Sequence, residues 1–217
     1  MPTIWIIGDS TVEDNKPPFR GWGWAIPQFA AEGYAVRNHG LSGRSTRSFR
    51  DEGLFKPVQE GMQPGDVLLI QFGHNDEKDD PARHTDPDTT FSANLRLFAE
   101  AALKKGAYPV LITPIARRLF DEAGNFRPGS HGAYPDAVRR TARELGIPLI
   151  DLTVETEAYL AQLGDEPSKP LFMFPKDNTH LKPEGAVVMA GFLARGLEKA
   201  GAPYAGLLAH SDEGAHV

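Results

Sequence analysis

The apolar run "TIWIIGDS" at the start of the chain ends on a hydroxyl, Ser10. A serine becomes a nucleophile only when a base removes its proton and an anion holds that base in the right tautomer. "FPKDNTHLKPEGA", near the other end, offers such a pair in Asp177 and His180, three residues apart on a segment that reads as a loop before the last helix. One turn of chain would let the carboxylate reach the imidazole. Acyl transfer also needs donors aimed at the developing oxyanion, each contributing roughly 3 kcal/mol to the barrier reduction. "NHGLSGRSTR" supplies Gly43, which can present its amide closely because it has no side chain, and "QFGHND" supplies the side-chain amide of Asn75.

Each of these residues also has a plainer reading. Ser10 and Glu13 fit a Ser-x-x-Glu capping box, although Pro17 and Pro18 argue against a long helix there. Asp177 could be a turn residue, His180 a packing residue ahead of Pro183, Gly43 a strand-to-helix turn and Asn75 a cap. What favours chemistry is their joint placement at consecutive strand ends and in the last loop.

Apolar runs at Thr3 to Ile7, Ala35 to Asn38, Asp66 to Phe72, Tyr108 to Thr113 and Pro148 to Leu152 predict five short strands. Continuous runs such as "VLLIQF" and "PVLITP" suit parallel strands buried on both faces. Helical patterns lie between them, around Gly23 to Glu32, Thr89 to Lys105, Pro135 to Leu145, Val154 to Leu163 and Pro183 to Ala200. The alternation implies right-handed crossovers and a three-layer α/β/α sandwich around a five-stranded parallel sheet, flavodoxin-like in class. In such folds ligands and reactive groups sit beyond the carboxyl ends of the strands, where Ser10, Gly43 and Asn75 fall.

At 217 residues, with no long linker or internal repeat, the chain reads as one domain spanning 1–217, long enough to bury about 70% of its unfolded surface. The absence of cysteine excludes disulfides, thiolate metal sites and cysteine catalysis. A net charge of −6 opposes general attraction to nucleic acid or anionic membranes, although "GRSTRSFR" and "IARRLF" are locally basic. No stretch approaches the roughly 18 apolar residues of a membrane span, and the N-terminus lacks a signal-peptide pattern, so the expectation is a cytoplasmic protein. There is no phosphate loop, no dinucleotide fingerprint, no His-Glu-x-x-His and no Gly-x-Ser-x-Gly elbow.

Taken together, "GDST", "GLSGRSTR", "GHND" and "DNTH" resemble the four blocks of the SGNH (GDSL-type) hydrolases. Within that superfamily the chain is similar to rhamnogalacturonan acetylesterases, in the Thr after Gly-Asp-Ser, the Gly-Trp-Gly segment at Gly21 to Gly23, "GRSTR", "FGHND" and "FPKDNTHLKPEGA". The likeness runs from about Ile4 to Leu197. It implies Ser10 as nucleophile, His180 and Asp177 as its base pair, and the Ser10 amide, Gly43 and Asn75 as the oxyanion hole. The implied activity is removal of acetyl groups from rhamnogalacturonan-derived oligosaccharides, with no metal and no cofactor. Acetylated xylan, a lipid or thioester substrate, or a glycan-binding module that has lost catalysis are the alternatives.

The remaining candidates divide between chemistry and packing. Arg44 and Arg47 could pair with a uronate carboxylate, or Arg44 could brace its loop. Trp22 and Trp24 could form a sugar platform but read more readily as core. His74, Asp76, Asp79, Asp80 and His84 form an irregular cluster that reads as a solvated loop rather than a metal site, with Asp76 supporting the Asn75 loop. "RRLFDEAGNFRPGSHGAY", Arg117 to Tyr134, is a rim loop matched to no block, and the tail "AHSDEGAHV" reads as frayed or bound at an interface.

Overall fold

In the computed structural model, residues 1–209 are described; the predicted frayed tail lies, from His210 onward, outside them. Five strands, β1 (Thr3–Gly8), β2 (Ala35–Asn38), β3 (Val67–Gln71), β4 (Tyr108–Ile112) and β5 (Leu149–Ile150), form one sheet in the order β2-β1-β3-β4-β5. Every pairing is parallel. This is the expected flavodoxin-like architecture.

Alternating side chains divide the sheet between two apolar layers. Ile4 and Ile6 of β1 and Leu69 of β3 face helices α1 (Trp22–Phe29), α6 (Leu152–Leu163) and α8 (Pro183–Ala200). Trp5, Ile7, Leu68 and Ile70 face α2 (Thr46–Asp51), α3 (Lys56–Gly61), α4 (Ser92–Lys104) and α5 (Tyr134–Leu145). All five β3 side chains are buried, as its apolar run requires, and Gln71 at its end is among them. The short helix α7 (Asp165–Ser168) follows α6.

Several boundaries differ from the sequence reading, for local reasons. α1 ends at Phe29 rather than Glu32, because Ala30 turns away to bridge Leu208. α2 and α3, of six residues each, are too short for a clear period to reveal them in the sequence. The capping box is made by Ser45 and Ser48 at the start of α2, not by Ser10 and Glu13, which lie in a turn. Among the described residues no helix is long and apolar enough to cross a membrane.

Candidate active site

Because β1 pairs parallel with both β2 and β3, the chain leaves all three strands at the same carboxyl end of the sheet, and the strand order reverses there. Behind Ser10 a buried polar chain fixes the turn. The indole of Trp22 donates to Gln71 (2.8 Å), Gln71 donates to the Thr11 hydroxyl (2.7 Å), and the Thr11 hydroxyl and backbone N–H donate to Asp9 (2.8 and 2.9 Å). Trp22 is therefore a core residue. Gln71 is the one polar side chain in the β3 run, and such a buried group has to find partners.

Ser10 is nearly buried, with its Oγ 3.0 Å from Nε2 of His180. Nδ1 of His180 lies 3.1 Å from Oδ2 of Asp177. The other carboxylate oxygen accepts the backbone N–H groups of Thr179 (2.9 Å) and His180 (2.7 Å). Burial would raise the Asp177 carboxyl, but these N–H donors and the imidazole outweigh it and hold its pKa below the usual carboxylate range. An ionised Asp177 holds the proton on Nδ1 and leaves Nε2 to accept from Ser10. Phe19 packs edge-on against the His180 ring, 4.6 Å between centroids.

Gly43 and Asn75 complete the same cleft, of about 470 Å³. Gly43 has φ of 78°, and a Cβ there would meet open space. The requirement is therefore left-handed backbone rather than lack of room, which refines the expectation from its missing side chain. Gly73 (φ 141°) makes the tight exit from β3, where a Cβ would press on Pro114 at 3.1 Å. One amide hydrogen of Asn75 is donated to the Arg44 carbonyl (3.1 Å), which leaves the other for a ligand.

Two carboxylates hold these loops in register. Glu13 accepts the backbone N–H of Ser42 (2.6 Å), tying the Gly43 loop to the turn after Ser10. Buried Asp76 accepts from the N–H of Thr46 (3.0 Å) and from the Thr46 and Thr85 hydroxyls (2.5 and 2.8 Å). Asp76 thus supports the Asn75 loop as expected. Its burial outweighs those donors and pushes its pKa up to about 7.

The unmatched rim loop proves to be a clamp on the loop that carries His180. Arg117 donates to the Thr179 hydroxyl and to Glu77, and Arg118 N–H donates to the Asn178 carbonyl (2.8 Å). Glu77 also meets Nδ1 of His131 at 2.9 Å, and the other nitrogen of that buried ring meets the Ile115 carbonyl at 2.8 Å. His74 stacks edge-on against His131 and places Nδ1 3.3 Å from Asp9, an electrostatic contact rather than a directed hydrogen bond. Burial lowers the pKa of His74.

The other sequence candidates lie elsewhere. Arg44 spends its guanidinium on Glu52 and the Ser42 carbonyl, and Arg47 donates to the Pro81 carbonyl. Both line a neighbouring depression rather than the cleft that holds Ser10, so the structure favours bracing for Arg44. Trp24 is partly buried and carries the Arg20 guanidinium over its ring. His74, Asp76, Asp79, Asp80 and His84 do not converge; among the described residues no group of three metal-ligating side chains does. A second groove, of about 670 Å³, runs between α4 and α5 and contains no serine–histidine pair. Glu13, Gln71, Thr46 and Arg117 were missed as positioning residues, since their partners are distant in sequence.

Comparison with known proteins agrees with this geometry. The GDSL-like lipase/acylhydrolase family model matches residues 6–188. The chain is 42% identical to rhamnogalacturonan acetylesterase RhgT of Bacillus subtilis, covering 99% of this chain and 97% of that protein. It is 35% identical to the probable rhamnogalacturonan acetylesterase YesY of the same organism, covering 92% and 94%. Among solved structures, the crystal structure of YxiM from Bacillus subtilis superposes with a TM-score of 0.82 at 28% identity, over 93% of this chain and 57% of that one.

Proposed function

The chain belongs to the GDSL-like lipase/acylhydrolase family of ester hydrolases, and from that premise we propose that it is a carbohydrate O-acetylesterase acting on rhamnogalacturonan-derived oligosaccharides. The observation that carries the reading is the continuous relay from Ser10 Oγ through His180 to Asp177, open to a cleft that also holds Gly43 and Asn75.

In this reading His180, oriented by Asp177, takes the Ser10 proton as Oγ attacks the acetyl carbonyl. The amides of Ser10 and Gly43 and the free amide hydrogen of Asn75 receive the oxyanion. The tetrahedral intermediate collapses when His180 hands the proton to the departing sugar oxygen. Water, deprotonated by the same imidazole, then attacks the acetyl-enzyme and releases acetate, restoring Ser10. Each proton taken by His180 is returned within its half-reaction.

Support for the glycan comes from two full-length relatives whose names specify rhamnogalacturonan. The test is acetate release from acetylated rhamnogalacturonan beside acetylated xylan. Faster release from the pectic polymer supports the proposal, whereas equal or reversed preference keeps the chemistry and discards the substrate.

A further inference from the structure

We propose that Lys78 and Arg83 form a carboxylate-binding subsite beside the reacting ester, and that its ligand is a uronate of the substrate's own backbone. The inference rests on the glycan reading above and narrows it to the acidic sugar.

The chain as a whole is acidic, at −6, yet three cations line the cleft. Lys78, Arg83 and Arg117 line it, and the carboxylate among its lining residues is Asp177, already engaged by His180 and two backbone N–H groups. On a protein of net negative charge, such cations favour an anionic ligand by the partner they offer at contact rather than by attraction at long range.

The three cations are not equivalent. Arg117 is committed to Glu77 and Thr179. Arg83 gives only its Nε to Asp80 (2.6 Å), and among the described residues its two Nη groups donate to nothing. Lys78 is exposed and forms no ion pair among the described residues. Two cations thus face the cleft with donors to spare.

Their backbone is held in place. Lys78 N–H donates to the Asn75 carbonyl, and the N–H groups of Arg83 and His84 to the Asp80 carbonyl. The base of this loop is closed where Thr85 N–H meets the Asp76 carbonyl (3.1 Å) and the Tyr134 hydroxyl donates to the carbonyls of both residues. The Lys78 backbone is therefore held three residues beyond Asn75, and its side chain lines the cleft that holds Ser10, so the carboxylate we assign to it belongs to the sugar that carries the ester or to its neighbour. In the adjacent depression Arg44 and Arg50 face Glu52 and Asp51, and Arg47 donates to the Pro81 carbonyl, but neither Ser10 nor Asn75 opens onto it. Galacturonate residues bring one carboxylate each, and a xylan backbone is neutral. The cations thus supply a discrimination that a triad reading only the acetyl group cannot.

The test compares kcat/KM for acetate release from acetylated rhamnogalacturonan oligosaccharides with that from the same oligosaccharides after their carboxyls are reduced to alcohols. The wild type should prefer the acidic form by about tenfold, a factor of the size a charged hydrogen bond confers, expressed mainly in KM and weakened by salt. Lys78→Ala and Arg83→Gln should each cut that ratio several-fold, Lys78→Glu should abolish or invert it, and Lys78→Arg should keep it. Lys78 is exposed and Arg83 partly so, and the unfolding midpoint of each variant separates loss of the subsite from loss of the fold. An unchanged ratio in Lys78→Ala, Lys78→Glu and Arg83→Gln overturns the subsite, as does a wild type that treats both forms alike while still releasing acetate, which leaves the glycan reading standing. Release from neither form overturns both.

Discussion

Thr46 gives both its backbone N–H and its hydroxyl to the buried carboxylate of Asp76, thirty positions later in the chain. This joins the segment just after Gly43 to the residue just after Asn75, so the two proposed oxyanion donors are tied to one carboxylate. Asp76→Ala strands the Thr46 N–H in the interior, at a cost of about 1–3 kcal/mol of stability, and should lower kcat as well. Urea unfolding and steady-state kinetics on the same variant check both.

Asp76 also carries a pH signature. Its folded pKa, near 7, lies above its ordinary value of 3.8, so the native state binds the extra proton between those limits. Its contribution to stability is therefore full below about pH 4 and falls as pH rises toward 7. Asp76→Asn, neutral throughout, should gain stability relative to wild type as pH rises from 4 to 7. A constant difference in unfolding free energy across that window contradicts the assignment.

For Asn75→Ala the expected result is a loss in kcat of roughly a hundredfold or more with little change in KM, because the donor meets charge that develops only in the transition state. Unchanged kinetics would remove Asn75 from the oxyanion hole.

Asp177→Asn should cost about four orders of magnitude in kcat, by analogy with the wrong-tautomer effect in serine triads. An Asn Oδ1 can still accept the N–H groups of Thr179 and His180, so the loop keeps its shape, while an Nδ2 facing the imidazole drives the proton to Nε2. Since the wild-type Asp177 pKa is lowered, its contribution to stability is present above pH 4 and is lost only as pH falls below that. Acid titration of unfolding in the two proteins should diverge in that range.

Arg117 acts through Thr179, the residue before His180. Arg117→Ala should reduce kcat about tenfold, the scale of one lost charged hydrogen bond, and Arg117→Lys should recover part of it. A shifted acid limb in the pH–rate profile of Arg117→Ala would separate misplacement of the histidine loop from general destabilisation.

The sheet could be read from the sequence because each strand is an apolar run and each crossover helix is punctuated by glycine or proline; the predicted β2 and α8 match their observed limits. The short α2 and α3 could not, since six residues do not complete two turns of a pattern. That Ser10, Gly43, Asn75, Asp177 and His180 come together in one cleft was legible because each block carries a local signature. What joins the blocks was not, since Glu13 to Ser42, Asp76 to Thr46 and Arg117 to Glu77 are pairings of distant residues with no periodicity to expose them. Arg44 shows the converse: its adjacency to Gly43 suggested a ligand contact, and Glu52, eight residues on, claims it instead.

The central claim is that Ser10 is the residue that takes the acetyl group. The direct measurement is labelling with a fluorophosphonate serine probe, followed by peptide mapping, in wild type and Ser10→Ala, with acetate release from acetylated rhamnogalacturonan measured on both. The account predicts one label, on Ser10, and loss of both label and acetate release in the variant while its unfolding midpoint is retained. A label on another serine, or acetate release that survives Ser10→Ala, contradicts it.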